Sequence, residues 1–424
     1  MGSFSIVKGF KKRFITPYLG LPSDIYFLFI ARIVNKIGML VYPFLTLFLT
    51  KKLGLSTEEA GEMLLISAMT FLVGAPVGGK LTDLFGRKKI LLIFQSAAAI
   101  CFVICAFLGI SMTVPYILIL ASLLNSIAGP ASSAMVTDLT TPENRKAAFS
   151  LLYLGTNVGA AIGPGIAGLL FESHMKWIFI GDGITSILSL ILVFLFVRET
   201  IPTKEEIENS GVSENENYEH GSVFSALLKK PILVAFVLIS SLTSFAYSQH
   251  SFSIPLLMKE IFPKGTELFG MLMMINGLFV LVATAPITSL TNKLKPVVNM
   301  AIAAFTYVVG FGMLYFINDI WLFVVSTIIW TIGEILVVTN ASVYIANHSP
   351  INQRGRFSSI FSIISGTGYA VGPMLMGKFI ISHGIRNVWI VVFLASIAAF
   401  VGFVNLNVFE KRSKGILNEK DEIQ

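Results

Sequence analysis

Ionisable side chains stand inside long apolar runs of this chain, where a charge is expensive. Arg32 and Lys36 lie one helical turn apart in a run that begins near Ile25, about 10 and 17 Å inside it at 1.5 Å per residue. Glu334 sits near the middle of another run, within Trp330-Thr331-Ile332-Gly333-Glu334, and Asp182, Glu62 and His250 stand in three more. A charge at a bilayer centre costs at least about 2.5–3.5 kcal/mol on insertion scales, so such groups face a partner or a water-filled cavity. A carboxylate there is a candidate proton carrier: Glu334 first, with Asp182, Glu62 and Asp138 as further candidates. Two readings of the cations stay open. They form a structural ion pair with Glu334, or they attract its charged form in a vacant cavity and contact an anionic group of a cargo. Asn125, Tyr153, Asn157, His250, Asn276 and Trp330, with Tyr42, Phe71, Gln95, Tyr247, Tyr307, Asn340 and Tyr344, are candidate cavity residues, though each taken singly also fits packing or an interfacial anchor.

Long apolar helices must position these groups. The 424 residues are 54% hydrophobic and 13% charged, and the mean hydropathy is +0.79, far from a soluble globular chain. A net charge of +7 would suggest nucleic acid in a soluble protein; here the cations are expected at membrane faces, and no nucleic-acid partner is needed. Twelve spans are predicted at about 25–49, 59–78, 90–110, 114–137, 147–171, 177–197, 231–258, 268–290, 297–317, 320–346, 357–381 and 387–409, each near the length that crosses a roughly 30 Å core. If both ends are cytoplasmic, 22 of the 31 Lys and Arg fall on cytoplasmic segments, 7 on external ones and two inside the first span. That asymmetry places both termini in the cytoplasm of a multi-pass cell-membrane protein. The expected organisation is a cytoplasmic segment 1–24, a six-helix bundle 25–198, a cytoplasmic linker 199–230, a second bundle 231–409 and a cytoplasmic tail 410–424. Cys101 and Cys105 lie four apart within one run and read as buried packing.

Between the second and third runs stands Gly78-Gly79-Lys80-Leu81-Thr82-Asp83-Leu84-Phe85-Gly86-Arg87-Lys88-Lys89. Its glycines allow close helix approach, Asp83 suits a helix N-terminus and Arg87 seeks a carboxylate. This turn resembles the G-x-L-a-D-r-x-G-r-k-x signature of the major facilitator superfamily, found between the second and third helices. The resemblance implies an all-α integral membrane fold of twelve transmembrane helices in two parallel six-helix repeats. It also implies a conformational latch of Gly79, Asp83, Gly86, Arg87 and Lys88 with Asp138 at the end of the fourth span. Repeats are visible directly: Arg145 to Pro164 and Arg354 to Pro373 have equal spacing, and at that offset Gly159, Gly163 and Gly168 meet Gly368, Gly372 and Gly377. The stretch Gly155, Gly159, Gly163, Pro164, Gly168 is a helix-packing motif similar to the fifth-helix g-x-x-x-G-P-x-x-G-G element of the superfamily's antiporter branches. Gly163–Gly168 also reads G-x-G-x-x-G, but it follows no strand, which excludes a dinucleotide site.

The region around Asp138, Glu143-Asn144-Arg145-Lys146 and Tyr153…Asn157 looks like Gram-positive secondary multidrug transporters of the drug:proton antiporter branch. Asn125 stands where that branch's fourth-span arginine motif has its arginine, which departs from the branch's usual proton coupling. The Tyr153…Asn157…Gly159 pattern is shared with proton-coupled oligopeptide symporters, although their E-x-x-E-R is missing from the first span (Ile30-Ala31-Arg32). No nucleotide loop, metal-ligand spacing or catalytic triad is present, so a non-enzymatic carrier driven by an ion gradient is expected, with no cofactor. The expected activity is secondary active transport, proton-coupled (or Na⁺-coupled) efflux of small amphipathic compounds by alternating access, working as a monomer in the lipid bilayer. The alternatives are symport of peptides or organic anions, and a non-transporting sensor or scaffold.

Overall fold

The computed structural model describes residues 18–200, 231–348 and 354–421; these form helices joined by short connections, with no strand among them. We number the long helices in chain order: α1 Ser23–Ile37, α2 Thr57–Phe85, α3 Arg87–Leu108, α4 Val114–Asp138, α5 Pro142–Leu170, α6 Met175–Phe196, α7 Pro231–Ile261, α8 Gly265–Thr291, α9 Pro296–Gly312, α10 Ile320–His348, α11 Arg354–His383 and α12 Val388–Asp421. Ten segments are long and apolar enough to cross a membrane. The remaining two long helices, α5 and α11, carry the glycine motifs, which lower their hydropathy, and they complete two sets of six.

Two features differ from the sequence expectation. The first span is not one helix: α1 stops at Ile37, Gly38–Val41 is irregular, and the chain continues as a 3₁₀ turn Tyr42–Phe44, a helical turn Leu45–Leu47 and a π turn Phe48–Lys52. The last helix does not stop near 409: α12 runs on to Asp421 through most of the expected tail, although the stretch apolar enough to cross a membrane ends at Lys411.

The chain divides into two compact units, the first holding residues 18–43 and 66–200 of those described, the second 44–65, 231–348 and 354–421. In the first unit, Ile25, Leu28 and Ala31 of α1 pack with Ala131 and Met135 of α4, Ala148 and Leu152 of α5, and Leu190 of α6. In the second, Phe236 of α7, Met300 and Ala304 of α9, Tyr344 of α10 and Phe403 of α12 form a comparable core.

The repeat is visible in how each glycine motif packs. On α5, a Cβ at Gly159 would fall 2.3 Å from Cβ of Lys36, and one at Gly155 would fall 2.9 Å from the Phe29 ring, both on α1. On α11, a Cβ at Gly368 would lie 2.2 Å from the carbonyl oxygen of Ser241, and one at Gly372 would lie 2.1 Å from Oγ of Ser248, both on α7. The fifth helix of each repeat thus presses its small residues on the first helix of the same repeat. Pro164 and Pro373 stand inside α5 and α11, and Gly168 is buried on α5.

Candidate functional site

In the second unit, Glu334 is partly buried on α10, a helix with no other Asp, Glu, Lys or Arg. Its Oε2 accepts from Nδ2 of Asn276 on α8 at 2.9 Å, and Asn276 also donates to Oγ1 of Thr331 at 2.8 Å. The Tyr247 hydroxyl on α7 lies within hydrogen-bonding reach of Glu334. Tyr247 in turn lies within an aromatic group drawn from four helices. Its ring centroid is 4.3 Å from His250, 6.2 Å from Tyr307, 6.1 Å from Trp330 and 6.3 Å from Tyr369. Trp330 and Tyr307 are fully buried, and Phe311 stacks on Trp330 at 5.6 Å. His250 is tied through Nδ1 to the carbonyl of Tyr247 at 2.6 Å. A carboxylate held by a side-chain donor beside aromatic faces can release or take a proton and can receive a cation, because ring faces and carboxylate attract positive charge together.

The first unit places its charges differently. Nη2 of Arg32 donates to Oγ of Ser132 on α4 at 2.9 Å, and Lys36 Nζ reaches only Sδ of Met39, at 3.4 Å. Neither cation comes within 4.0 Å of a carboxylate among the described residues. Asp182 on α6 is buried, and its Oδ2 accepts from the amide of Val41 at 3.4 Å, while the neighbouring Leu40 amide donates to the carbonyl of Gly38 at 2.7 Å. The break in the first span is thereby explained. Gly38 lies so close to α6 that a Cβ would fall 1.5 Å from Oγ1 of Thr185, and an amide freed by the break turns to a buried carboxylate. Tyr42, just past the break, shares a hydrogen bond of 2.8 Å with Ser122, and Asn125 lies within its hydrogen-bonding reach. Tyr153 and Asn157 stand one turn apart on α5, beside the glycines that meet α1.

Glu62 is exposed on the outer part of α2 in the second unit, apart from both carboxylate clusters in sequence, with no ion pair among the described residues.

At the end of α2, Gly86 turns the chain with φ +104°, a conformation that favours glycine, and caps α3. Arg87 then directs Nε to Oδ2 of Asp138 on α4 at 2.9 Å and Nη1 to the carbonyl of Thr82 at 3.3 Å. Lys88 donates to the carbonyl of Phe194 at 2.7 Å. Close helix approach falls at Gly74 and Gly78, where a Cβ would meet Oγ of Ser126 at 1.9 Å and the carbonyl of Ile127 at 2.1 Å. At Gly79 nothing lies within 4 Å. The Asp83 side chain lies outside the described residues.

Sequence reasoning missed Glu199. It belongs to the segment expected as a solvated linker, yet its Oε1 accepts the amides of Arg87 at 2.8 Å and Lys88 at 3.1 Å, and its Oε2 that of Lys89 at 3.3 Å. Thr200 donates its amide to Glu199 Oε1 at 2.9 Å and its hydroxyl to Asp138 Oδ2 at 3.3 Å. Burial pushes the Glu199 carboxyl up, but the four backbone amides outweigh it and hold the group below the usual carboxylate range. A glutamate facing three amides of a helix start has no short-range sequence signal when it is over a hundred residues away. The rest of that linker, 201–230, lies outside the described residues.

The family model described as Major Facilitator Superfamily matches residues 28–350 and 265–422. The chain belongs to the major facilitator superfamily, and it is a membrane transporter rather than an enzyme. Over 407 residues it is 25% identical to a protein of Planococcus maritimus named Na(+), Li(+), K(+)/H(+) antiporter, covering 90% of this chain and 94% of the relative. It is 24% identical to the multidrug resistance protein MdtG of Dickeya zeae (strain Ech586), covering 90% of this chain and 93% of the relative. Among solved structures, a POT family transporter in complex with thioalcohol conjugated peptide gives a TM-score of 0.74 at 15% identity, covering 93% of this chain and 97% of that one. At that identity the likeness concerns the fold alone.

Proposed function

We propose that this transporter is a proton-coupled antiporter that exports small amphipathic cations across the cell membrane, with both termini cytoplasmic and Glu334 as the coupling carboxylate. The observation that carries the reading is the Glu334 environment: a side-chain donor, Asn276, the Tyr247 hydroxyl within hydrogen-bonding reach, and an aromatic wall of Tyr247, Tyr369, His250 and Trp330. A cation arriving there meets ring faces and takes the place of the proton on Glu334, so one site alternates between two positive occupants. The name of one relative, an alkali cation/proton antiporter, supports cation-for-proton exchange, and that of the other, a multidrug resistance protein, supports a drug-like cargo. Accumulation of a cationic dye in everted vesicles under an imposed pH gradient, acid inside, tests this. Glu334→Gln is expected to abolish gradient-driven accumulation while sparing part of the downhill exchange; wild-type uphill transport in that variant would remove Glu334 from the mechanism.

A second reading, symport of a peptide or organic anion, is favoured by one feature. Arg32 and Lys36 meet Ser132 and Met39 rather than a carboxylate, which leaves buried positive charge for an anionic group. Loss of binding of an anionic peptide, but not of a cationic dye, in Lys36→Gln would favour it.

A further inference from the structure

The bonds around Glu199 form a closed ring that the ion pair between Arg87 and Asp138 does not require. Arg87 is the first residue of α3, and its amide is fixed on Glu199 while its side chain reaches Asp138. Thr200, next in sequence to Glu199, places its hydroxyl on the same Oδ2 of Asp138 that receives Arg87. One residue later in the opposite direction, the Arg198 amide donates to Oδ1 of Asp24 beside the start of α1, at 2.9 Å. The residues that leave α6 are therefore tied to the cytoplasm-facing ends, in the expected topology, of α1, α3 and α4.

The geometry points to Glu199 and Thr200 as positioning residues for the Arg87–Asp138 pair: they hold both partners from the end of α6 and set how readily the pair forms. The inference rests on reading that pair as a latch that closes and opens in each transport cycle. A carboxylate at the amides of a helix start stabilises that start and pins the Arg87 backbone. Its side chain then has less freedom to lose on closing on Asp138, which is the general benefit of preorganisation. Thr200 fixes the other partner by a direct hydrogen bond. Gly86 is part of the same device. A Cβ there would fall 2.7 Å from Oε2 of Glu199, so the turn must be glycine both for its φ and for the carboxylate to approach.

A simple helix cap would give the same bonds, so the test needs a readout that capping alone does not move. Spin labels on the two six-helix halves, read by pulsed distance measurement in the full-length protein in lipid, report the ratio of cytoplasm-closed to cytoplasm-open forms. Asp138→Asn serves as the control for the latch itself. Glu199→Ala is expected to shift the ratio in the same direction as Asp138→Asn, by about three- to tenfold, the size of a helix-terminus charge effect. The double variant is expected to shift it by less than the product of the two, because both act on one bond. Thr200→Val, which keeps the side-chain volume and removes only the hydroxyl, should shift the ratio the same way by a smaller factor, and it serves if Glu199→Ala fails to fold. If Asp138→Asn moves the ratio while Glu199→Ala and Thr200→Val leave it unchanged and only lower thermal stability, the two residues are caps and the inference fails with the latch intact. If Asp138→Asn also leaves the ratio unchanged, the latch reading fails and takes the inference with it.

Discussion

Asp182 and Glu334 are both carboxylates within apolar spans, one in each unit, and they are held in opposite ways. Asp182 is buried and receives a backbone amide, that of Val41, from the break between α1 and the Tyr42–Phe44 turn. Glu334 is only partly buried and receives a side-chain donor from Asn276, with the Tyr247 hydroxyl within reach. Backbone donors belong to the fold, so a carboxylate that satisfies them is needed in place at all times. Side-chain donors can rotate away, so a carboxylate that satisfies them can exchange its partners during a cycle. On this ground Asp182 is assigned to shaping the first span and Glu334 to coupling. Both stood as proton carriers in the sequence, and only their donors separate them.

Neutralising each carboxylate without changing its shape is the sharpest way to break that contrast. Glu334→Gln should remove uphill transport altogether, the largest effect expected, measured as loss of dye accumulation in vesicles. Asp182→Asn should keep most transport, since an amide oxygen still accepts from Val41. Asp182→Leu leaves that amide unpaired and should destabilise the protein by about 1–3 kcal/mol, read by thermal unfolding in detergent. Equal loss of coupling in Asp182→Asn and Glu334→Gln would erase the distinction.

Packing gives the next effect. Gly159→Val forces a side chain into Lys36 and the Ile37 backbone, and overpacking of this kind costs about 1–3 kcal/mol. Its repeat counterpart, Gly368→Val, meets the Ser241 carbonyl and should cost a similar amount, whereas Gly79→Ala, with nothing within 4 Å, should be nearly silent in stability. Paired unfolding curves compare the three.

The smallest effect concerns pH. The Glu199 carboxyl lies below the usual range in the folded protein, so its contribution is present above the unfolded value of about 4.3 and is lost as pH falls toward the folded value. Wild type should therefore lose more stability than Glu199→Gln on acidification through that window. An identical acid dependence in the two would contradict the capping role.

Apolar runs, the cation asymmetry and the equal spacing of Arg145–Pro164 and Arg354–Pro373 made the helices and the repeat legible, because each is a local or periodic property of the chain. The turn at Gly86-Arg87 was legible for the same reason. The break at Gly38–Val41 was not, since Gly38-Met39-Leu40-Val41 reads as an ordinary apolar stretch and its cause, Asp182 with Thr185, lies more than a hundred residues away. Glu199 was hidden in the same way. Tyr247, Tyr307 and Trp330 were visible one by one, but rings from α7, α9, α10 and α11 become a wall beside Glu334 only when tertiary packing brings them together.

Proton release on binding tests the central claim most directly. Purified transporter in lightly buffered detergent solution is mixed with a cationic dye while a pH indicator is followed. The account predicts release of about one proton per dye bound by the wild type, and dye binding without release by Glu334→Gln. Undiminished proton release from Glu334→Gln would contradict it.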